Sequence, residues 1–452
     1  MLWLVIIIPL LASILCLIKE KRIKKNLHLI LSASMLLSLL ILVLHYPSKP
    51  IIETIEWAPD FGLNLAFLVD WLSYPFLAMI LLVSGISIYY SKAYLQEQKN
   101  KQLYYFLTGL FTVSMIGVVL SVNLITFYLF WDVMLVASYF LVVEWGEEKA
   151  REIGLKYFIY MAVASTSLLL GIGLFHASTD SFNLLEAKTA PAIVFLPLMI
   201  SFLIKQGVFP FHDWLPDTHS VAPTPISAML SGLMVNVGGY ALLRVSSLFP
   251  EVMKTYSTTL IIIALISLYL GALMVFRQTH LKKAIAWSTV SQGGMIVFGA
   301  GALTLYALKG AGFHLVTQAL TKSLLFLVAG VIIYATGTKK IDEIKGLYRK
   351  NPILTIAFFA SILSLAGTPF FAAFQSEVLI FLGGLNYLAA DLLLIFGSLL
   401  TLGYCLWFAH SMFFASGKTK FKKIRNEMLT TLIILTGLII IVGVYPNILM
   451  VW

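Results

Sequence analysis

The sequence predicts an all-α integral membrane protein of about fourteen transmembrane helices, and three observations carry that expectation. Sixty per cent of the 452 residues are hydrophobic, 12% are charged and the mean hydropathy is +0.93, a composition that excludes a water-soluble domain. The apolar residues gather into runs close to the roughly 20 residues that a helix needs to cross the hydrocarbon core. The basic residues fall between those runs and concentrate in alternate gaps.

In chain order the runs are 2–18, 27–44, 68–90, 103–120, 124–143, 155–175, 192–208, 225–243, 259–275, 284–303, 307–334, 353–382 (interrupted), 385–410 and 429–445. The first lacks a basic leader and a small-residue cleavage site, and its charges, KEKRIKK, follow the apolar stretch. It therefore reads as an uncleaved anchor with the N-terminus outside. Counting alternately from there, one side holds Lys19 to Lys25, Lys92 to Lys101, Lys149 to Lys156, Arg277 to Lys283, Lys339 to Lys350 and Lys418 to Arg425. Together these gaps contain 24 of the 31 Lys and Arg. The other side holds Lys49, Lys188, Arg244, Lys254 and Lys309, which leaves Lys205 and Lys322 within the membrane. Basic loops stay in the cytoplasm, so the rich side is cytoplasmic. The net charge of +10 then reports orientation and anionic lipid headgroups rather than nucleic acid.

Cys16 and Cys405 lie in separate spans without CxxC spacing, which gives neither a disulfide framework nor an iron–sulfur ligand set. No Gly-rich phosphate loop is present either, and the glycines sit singly within helices, where they permit close packing. The expectation is a chain with no cofactor of its own, no redox-catalytic residue and no metal, driven by partners or by an ion gradient.

The polar residues inside the spans carry the functional reading. The stretch Lys205 to Gly232, KQGVFPFHDWLPDTHSVAPTPISAMLSG, places a lysine in an apolar span five residues before Pro210. Charge at membrane depth is costly and marks ion paths. Pro210 removes a backbone donor and obstructs the helix, so span 7 is expected to be broken there. Span 5 carries Asp132 near its middle. Span 12 repeats the design of span 7, with Gly367 and Pro369 interrupting it and Glu377 just beyond. In span 11, His314, Gln318 and Lys322 are spaced by four and fall along one helical face, a row able to conduct protons or line a hydrated groove. His212, Asp213, Asp217 and His219 lack HExxH spacing, and the intervening WLP suggests a fixed loop at the cytoplasmic mouth rather than a metal site.

Spans 4–8 (103–246) and 9–13 (255–412) each hold one proline-broken, charge-bearing span. Five spans is an odd number, so the second copy enters from the opposite side, an inverted repeat typical of secondary transporters. Residues 1–102 precede the repeats and 413–452 follow them.

The motifs FPFHDWLPDTHSVAPTPISAMLSGLMVNVGGYALLR, QTHLKKAIAWSTVSQGG and GTPFFAAFQSE resemble the antiporter-like subunits shared by respiratory complex I, membrane-bound hydrogenases and Mrp-type Na⁺/H⁺ antiporters. The resemblance spans runs 3 to 13. It implies fourteen helices, two inverted five-helix repeats, broken helices 7 and 12, and translocation of H⁺ or Na⁺ along buried acid, lysine and histidine residues. By motif, Asp132 stands where the family has a glutamate paired with the helix-7 lysine, here Lys205. Glu377 stands at the family's lysine or glutamate of broken helix 12, and Lys322 matches a lysine found in part of the family. The departures are Asn236 where lysine is usual, and Gln292 and Gln318 where histidine is frequent; amides in their place can still order water.

The implied mechanism is electrostatic. Burial disfavours the ammonium of Lys205 and a nearby carboxylate favours it, so moving Asp132 away would release a proton. The implied setting is a prokaryotic cell membrane, in a multi-subunit complex of other membrane subunits with peripheral iron–sulfur redox subunits. A stand-alone Mrp-type antiporter and a non-conducting scaffold are the alternatives. No long amphipathic helix lies between the last run and Trp452, which fits a mid-arm or single-copy subunit.

Overall fold

The computed structural model describes residues 2–18, 20–45, 49–58, 63–96, 98, 100–187, 189–417 and 419–449. Lys19, Lys99, Lys188, Lys418 and Trp452 lie outside these described residues.

The chain is mostly helical. It begins with α1 (Leu2–Leu15) and α2 (Lys21–Leu44), followed by α3 (Ser73–Tyr94), α4 (Lys101–Leu120), α5 (Leu124–Trp145) and α6 (Ala150–Thr179). Then come α7 (Ala192–Gln206), α8 (Trp214–Val221), α9 (Thr224–Met229), α10 (Val235–Leu248) and the short α11 (Pro250–Met253). The second half holds α12 (Ser257–Phe276), α13 (Leu281–Ala302), α14 (Leu305–Thr336), α15 (Pro352–Leu365), α16 (Ala373–Gly384), α17 (Leu388–Phe408) and α18 (Asn426–Val444). Ten helical segments among the described residues are long and apolar enough to cross a membrane, and α1, α7 and α15 are shorter apolar helices beside them. The protein is therefore a multi-pass membrane protein. Leu, Ile and Phe side chains that stand out from α5, α6, α12 and α17 are what a lipid-facing surface requires.

The 32-residue α14 forms the centre and packs on α13, α16, α15, α9, α3 and α18. It and α13 are buried along nearly their whole length, which explains why their polar residues face protein rather than lipid.

Both expected breaks are present. Helix α7 stops at Gly207, whose φ of 65° is left-handed, and α15 stops at Gly367, whose φ is 63°. Glycine adopts that conformation without a Cβ penalty, so it ends each half-helix cleanly. Across the first break Trp214 Nε1 donates to Ile204 O (3.0 Å), which ties α8 back onto α7, and the Phe209 N–H donates to Ser267 Oγ (3.0 Å).

Four sequence expectations need correction. Residues 214–221 are helical rather than a loop, because Pro216 sits in the first turn of α8, where a missing N–H costs nothing. The protein is not purely α-helical: β1 (Ile51–Ala58) and β2 (Leu63–Val69) pair antiparallel, with Ile51 opposite Val69 and Ile55 opposite Leu65. The β-branched residues of IIETIEWA favour that pairing, and it shortens span 3 to a helix that starts at Ser73. Arg244, counted as an external loop residue, is buried within α10. Lys282, counted in a basic loop, is also buried and donates to Ala222 O (2.5 Å). Charge counting along the sequence says nothing about the depth of such residues.

Candidate functional site: a buried polar row between two broken helices

Lys205 sits one turn before the break in α7. It is 0% exposed, its ammonium has no hydrogen-bond partner, and Nζ lies 4.7 Å from the centroid of the Trp131 ring. A cation over an indole face is attracted by the ring quadrupole, which partly replaces lost hydration. Asp132, the expected direct partner, points elsewhere. It is half-buried and accepts a hydrogen bond from Ser165 Oγ on α6 (2.5 Å). Consecutive residues of a helix diverge by about 100°, so when α5 presents Trp131 to α7 it directs Asp132 towards α6. Lys205 and Asp132 thus make no direct ion pair.

The stripe on α14 is assembled as the spacing predicts. His314 Nδ1 lies 2.8 Å from Ser376 Oγ on α16, and its Nε2 lies 3.0 Å from Gln292 Oε1 on α13. Gln318 Nε2 also donates to Gln292 Oε1 (3.2 Å), and Gln292 Nε2 reaches Thr401 Oγ1 on α17 (3.4 Å). One turn further on, Lys322 Nζ donates to Ser288 Oγ (2.6 Å). Gln292, noted in the sequence only as a missing histidine, is the hub that joins α13, α14 and α17. Ser376 is followed directly by Glu377, which is buried against the Gly367 turn of the second break.

Asn236 follows a π-helical turn at Leu230–Met234, and its Nδ2 donates to Gly232 O of its own segment (2.8 Å). That bond engages one of its two N–H donors within its own segment.

The four residues expected at the cytoplasmic mouth divide in two. Asp213 pairs with Lys156 (2.5 Å), while Asp217 pairs with both Lys156 (2.9 Å) and Lys283 (2.6 Å) in a partly exposed network. His212 packs half-buried against Trp287, with ring centroids 5.3 Å apart. His219 does not line a surface. It is fully buried on the Phe326 ring, 4.8 Å between centroids, with neither nitrogen hydrogen-bonded.

Sequence reading passed over three further groups. Asp70, at the end of β2, makes a bidentate buried pair with Arg244 (2.5 and 2.8 Å). Gln206 is 1% exposed and lies between α10 and α13. Asp391, in the first turn of α17, is buried with Oδ1 unpaired. Asp70 and Asp391 carried a signal, the first as an acid at the margin of an apolar run and the second as an acid within the run 385–410; Gln206 carried none.

The molecule is thus a multi-pass membrane protein with a cluster of buried ionisable and amide side chains that reaches the second interrupted helix, and an unpaired buried lysine at the first. The chain belongs to the NADH:quinone oxidoreductase/Mrp antiporter transmembrane family, which it matches over residues 121–403; residues 55–105 match the family described as NADH-ubiquinone oxidoreductase (complex I), chain 5 N-terminus. It is an antiporter-like membrane subunit.

It is 31% identical over 347 residues to NAD(P)H-quinone oxidoreductase chain 4 2 of Microcystis aeruginosa, a match that covers 75% of this chain and 62% of that one. It is also 31% identical over 395 residues to F(420)H(2) dehydrogenase subunit M of Methanosarcina mazei, covering 83% and 79%. In fold it is similar to a chain of the Mrp complex from Dietzia sp. DQ12-45-1b (TM-score 0.92, 23% identity, 100% of this chain and 95% of that one). A chain of respiratory complex I from Thermus thermophilus gives a TM-score of 0.90 at 23% identity, covering 99% and 96%. A chain of the membrane-bound sulfane sulfur reductase, an archaeal respiratory membrane complex, gives 0.87 at 25% identity, covering 98% and 76%.

Proposed function

We propose that the chain is an ion-translocating subunit of a redox-driven membrane complex, moving H⁺ or Na⁺ along Asp132, Lys205, Gln292, His314, Gln318, Lys322 and Glu377. The observation that carries this reading is the continuous hydrogen-bonded cluster from Ser376 through His314 and Gln292 to Gln318 in the protein interior, together with the buried, unpaired Lys205 at the first break. Buried polar atoms are seldom left without partners, and the unpaired Lys205 Nζ, Gln206 Nε2, His219 nitrogens and Gln318 Oε1 are suited to hold ordered water. Lys156, Asp213, Asp217 and Lys283 form the cytoplasmic entrance.

Transfer is electrostatic. Lys205 holds its proton while the Asp132 carboxylate is near, and releases it when α5 or α6 moves that carboxylate away, because an isolated buried ammonium is unfavourable. A partner subunit supplies the displacement. The relatives named as dehydrogenase or oxidoreductase subunits favour a redox complex with peripheral iron–sulfur subunits. The second reading is a stand-alone antiporter driven by gradients; the fold agrees over its full length with an Mrp chain and with a complex I chain alike. Affinity purification in mild detergent separates them. Copurifying iron–sulfur subunits support the first, and only small membrane subunits the second. A purified complex that moves neither H⁺ nor Na⁺ across vesicles would leave a scaffold role.

The proposal includes a prokaryotic cell membrane and fourteen passes, with inverted repeats at 103–246 and 255–412. Two half-helix pairs that end on left-handed glycines support it, as does the 42-residue apolar segment Ala373–Phe414, which holds α16 and α17 around a short turn. Orientation follows from the basic loops. Cysteines placed at Lys345 and Lys420 are expected to react with an impermeant maleimide only from the cytoplasm, and one at Lys254 only from outside. Labelling of Lys254 and Lys345 positions from one face would refute the inverted arrangement.

A further inference from the structure

We propose that Gln206 is the positioning residue that joins Lys205 to the Gln292–His314–Gln318 cluster. The inference rests on the translocation reading above. The side chain leaves the last turn of α7 and inserts between α10 and α13. Its Oε1 accepts the backbone N–H of Gly239 (2.7 Å), which fixes the amide plane. Its Nε2 is buried without a partner and sits over Gly293, the residue next to Gln292.

Two glycines make room for it. A Cβ at Gly239 would come within 2.7 Å of Oε1 and one at Gly293 within 3.1 Å of Nε2, while Gly238 lets α10 approach the α7 backbone, where its Cβ would lie 2.6 Å from Gln206 N. The second G of NVGGY and the first G of SQGG are therefore the two walls of a slot shaped for this amide. An orphaned donor on the residue that follows the orphaned Lys205, and facing the helix that carries the Gln292 hub, is a place where water can be held at little cost and lead from one to the other. Asn236 Nδ2 donates one of its two hydrogens to Gly232 O of its own segment.

Two variants of the intact complex in sealed vesicles test this, with H⁺ uptake followed by a pH-sensitive dye and Na⁺ uptake by ²²Na⁺. Gln206→Leu removes both ends of the bridge and is expected to slow transfer about tenfold or more, the scale of a buried polar group losing its partner. Gln206→Glu keeps the volume and the acceptor for Gly239 N–H, so folding is preserved and only the donor changes. Lys205 is the titratable residue next to it on α7, whereas α10 and α13 meet the side chain through Gly239, Gly293 and Ile296, none of which titrates.

The glutamate is expected to carry transfer in acid, where its protonated oxygen donates, and to lose it as pH rises and the carboxylate pins the Lys205 ammonium. That slope is absent from the wild type. Wild-type rates at all pH values in both variants would overturn the role of Gln206 and leave the translocation reading standing. A wild type that moves neither ion would overturn both.

Discussion

Replacing Lys205 by methionine is expected to abolish ion transfer and leave the folded complex as stable as the wild type, or more so. A buried ammonium with no hydrogen-bond acceptor carries a desolvation cost of several kcal/mol. The Trp131 face returns only about 2 kcal/mol of it. Methionine fills a similar volume without that cost, so the lysine is retained against stability rather than for it. The measurement is a thermal midpoint in detergent beside ion uptake in vesicles. A variant that still moves ions at the wild-type rate would remove Lys205 from the path. A variant that loses several kcal/mol of stability would show the lysine to be structural.

Asp70→Ala is expected to have the opposite signature. Asp70 and Arg244 form a buried bidentate pair, and Tyr240 Oη also accepts from Arg244 (2.8 Å). Removing one partner of such a pair costs about 3–5 kcal/mol, because the remaining charge is left buried and uncompensated. Asp70 Oδ1 also accepts the N–H of Leu72 (3.2 Å) and of Ser73 (3.0 Å), so the start of α3 loosens as well. The double variant Asp70→Leu with Arg244→Leu should regain most of the loss but not this second part. If the single variant assembles with an unchanged thermal midpoint, the pair does not hold the hairpin and α3 to α10.

The pH dependence of that pair has a definite sign. Burial pushes the Asp70 carboxyl up, but the hydrogen bonds and charge of Arg244, aided by Ser73, outweigh it and hold the group below the usual carboxylate range. A depressed carboxyl stabilises the folded state at neutral pH and loses that contribution only as pH falls through its folded value. The stability added by the pair should therefore persist through mildly acidic solution.

Much of the site could be read from the sequence because burial of charge in a membrane is so costly that the charged residues announce themselves. Lys205, His314, Lys322 and Glu377 were found by asking which polar side chains interrupt apolar runs, and all are buried in the protein interior. The spacing of His314 and Gln318 was enough to place them on one face, where their side chains meet (3.1 Å). Gln206 was not legible in the same way. An amide beside a lysine has no distinctive spacing, and its importance comes from Gly239 and Gly293, which are 33 and 87 residues away in the sequence. The β1–β2 hairpin was missed for a related reason, since its strands are marked only by short alternating stretches beside much stronger helical signals.

The sequence by itself determined that the chain lies in a membrane, where its apolar segments run, where two of them break, and that Lys205, His314, Lys322 and Glu377 sit inside. Those properties follow from local composition, because each apolar run must satisfy its own backbone in lipid and each glycine–proline turn acts on its own helix. Tertiary structure alone decided which buried groups touch. It placed Trp131 rather than Asp132 against Lys205, turned one Asn236 N–H donor back onto its own segment, sank Lys282 and His219 into the interior, and closed Asp70 onto Arg244. Contacts of that kind depend on how helices rotate and approach one another, and a rotation of one residue's angle is enough to exchange a ring for a carboxylate.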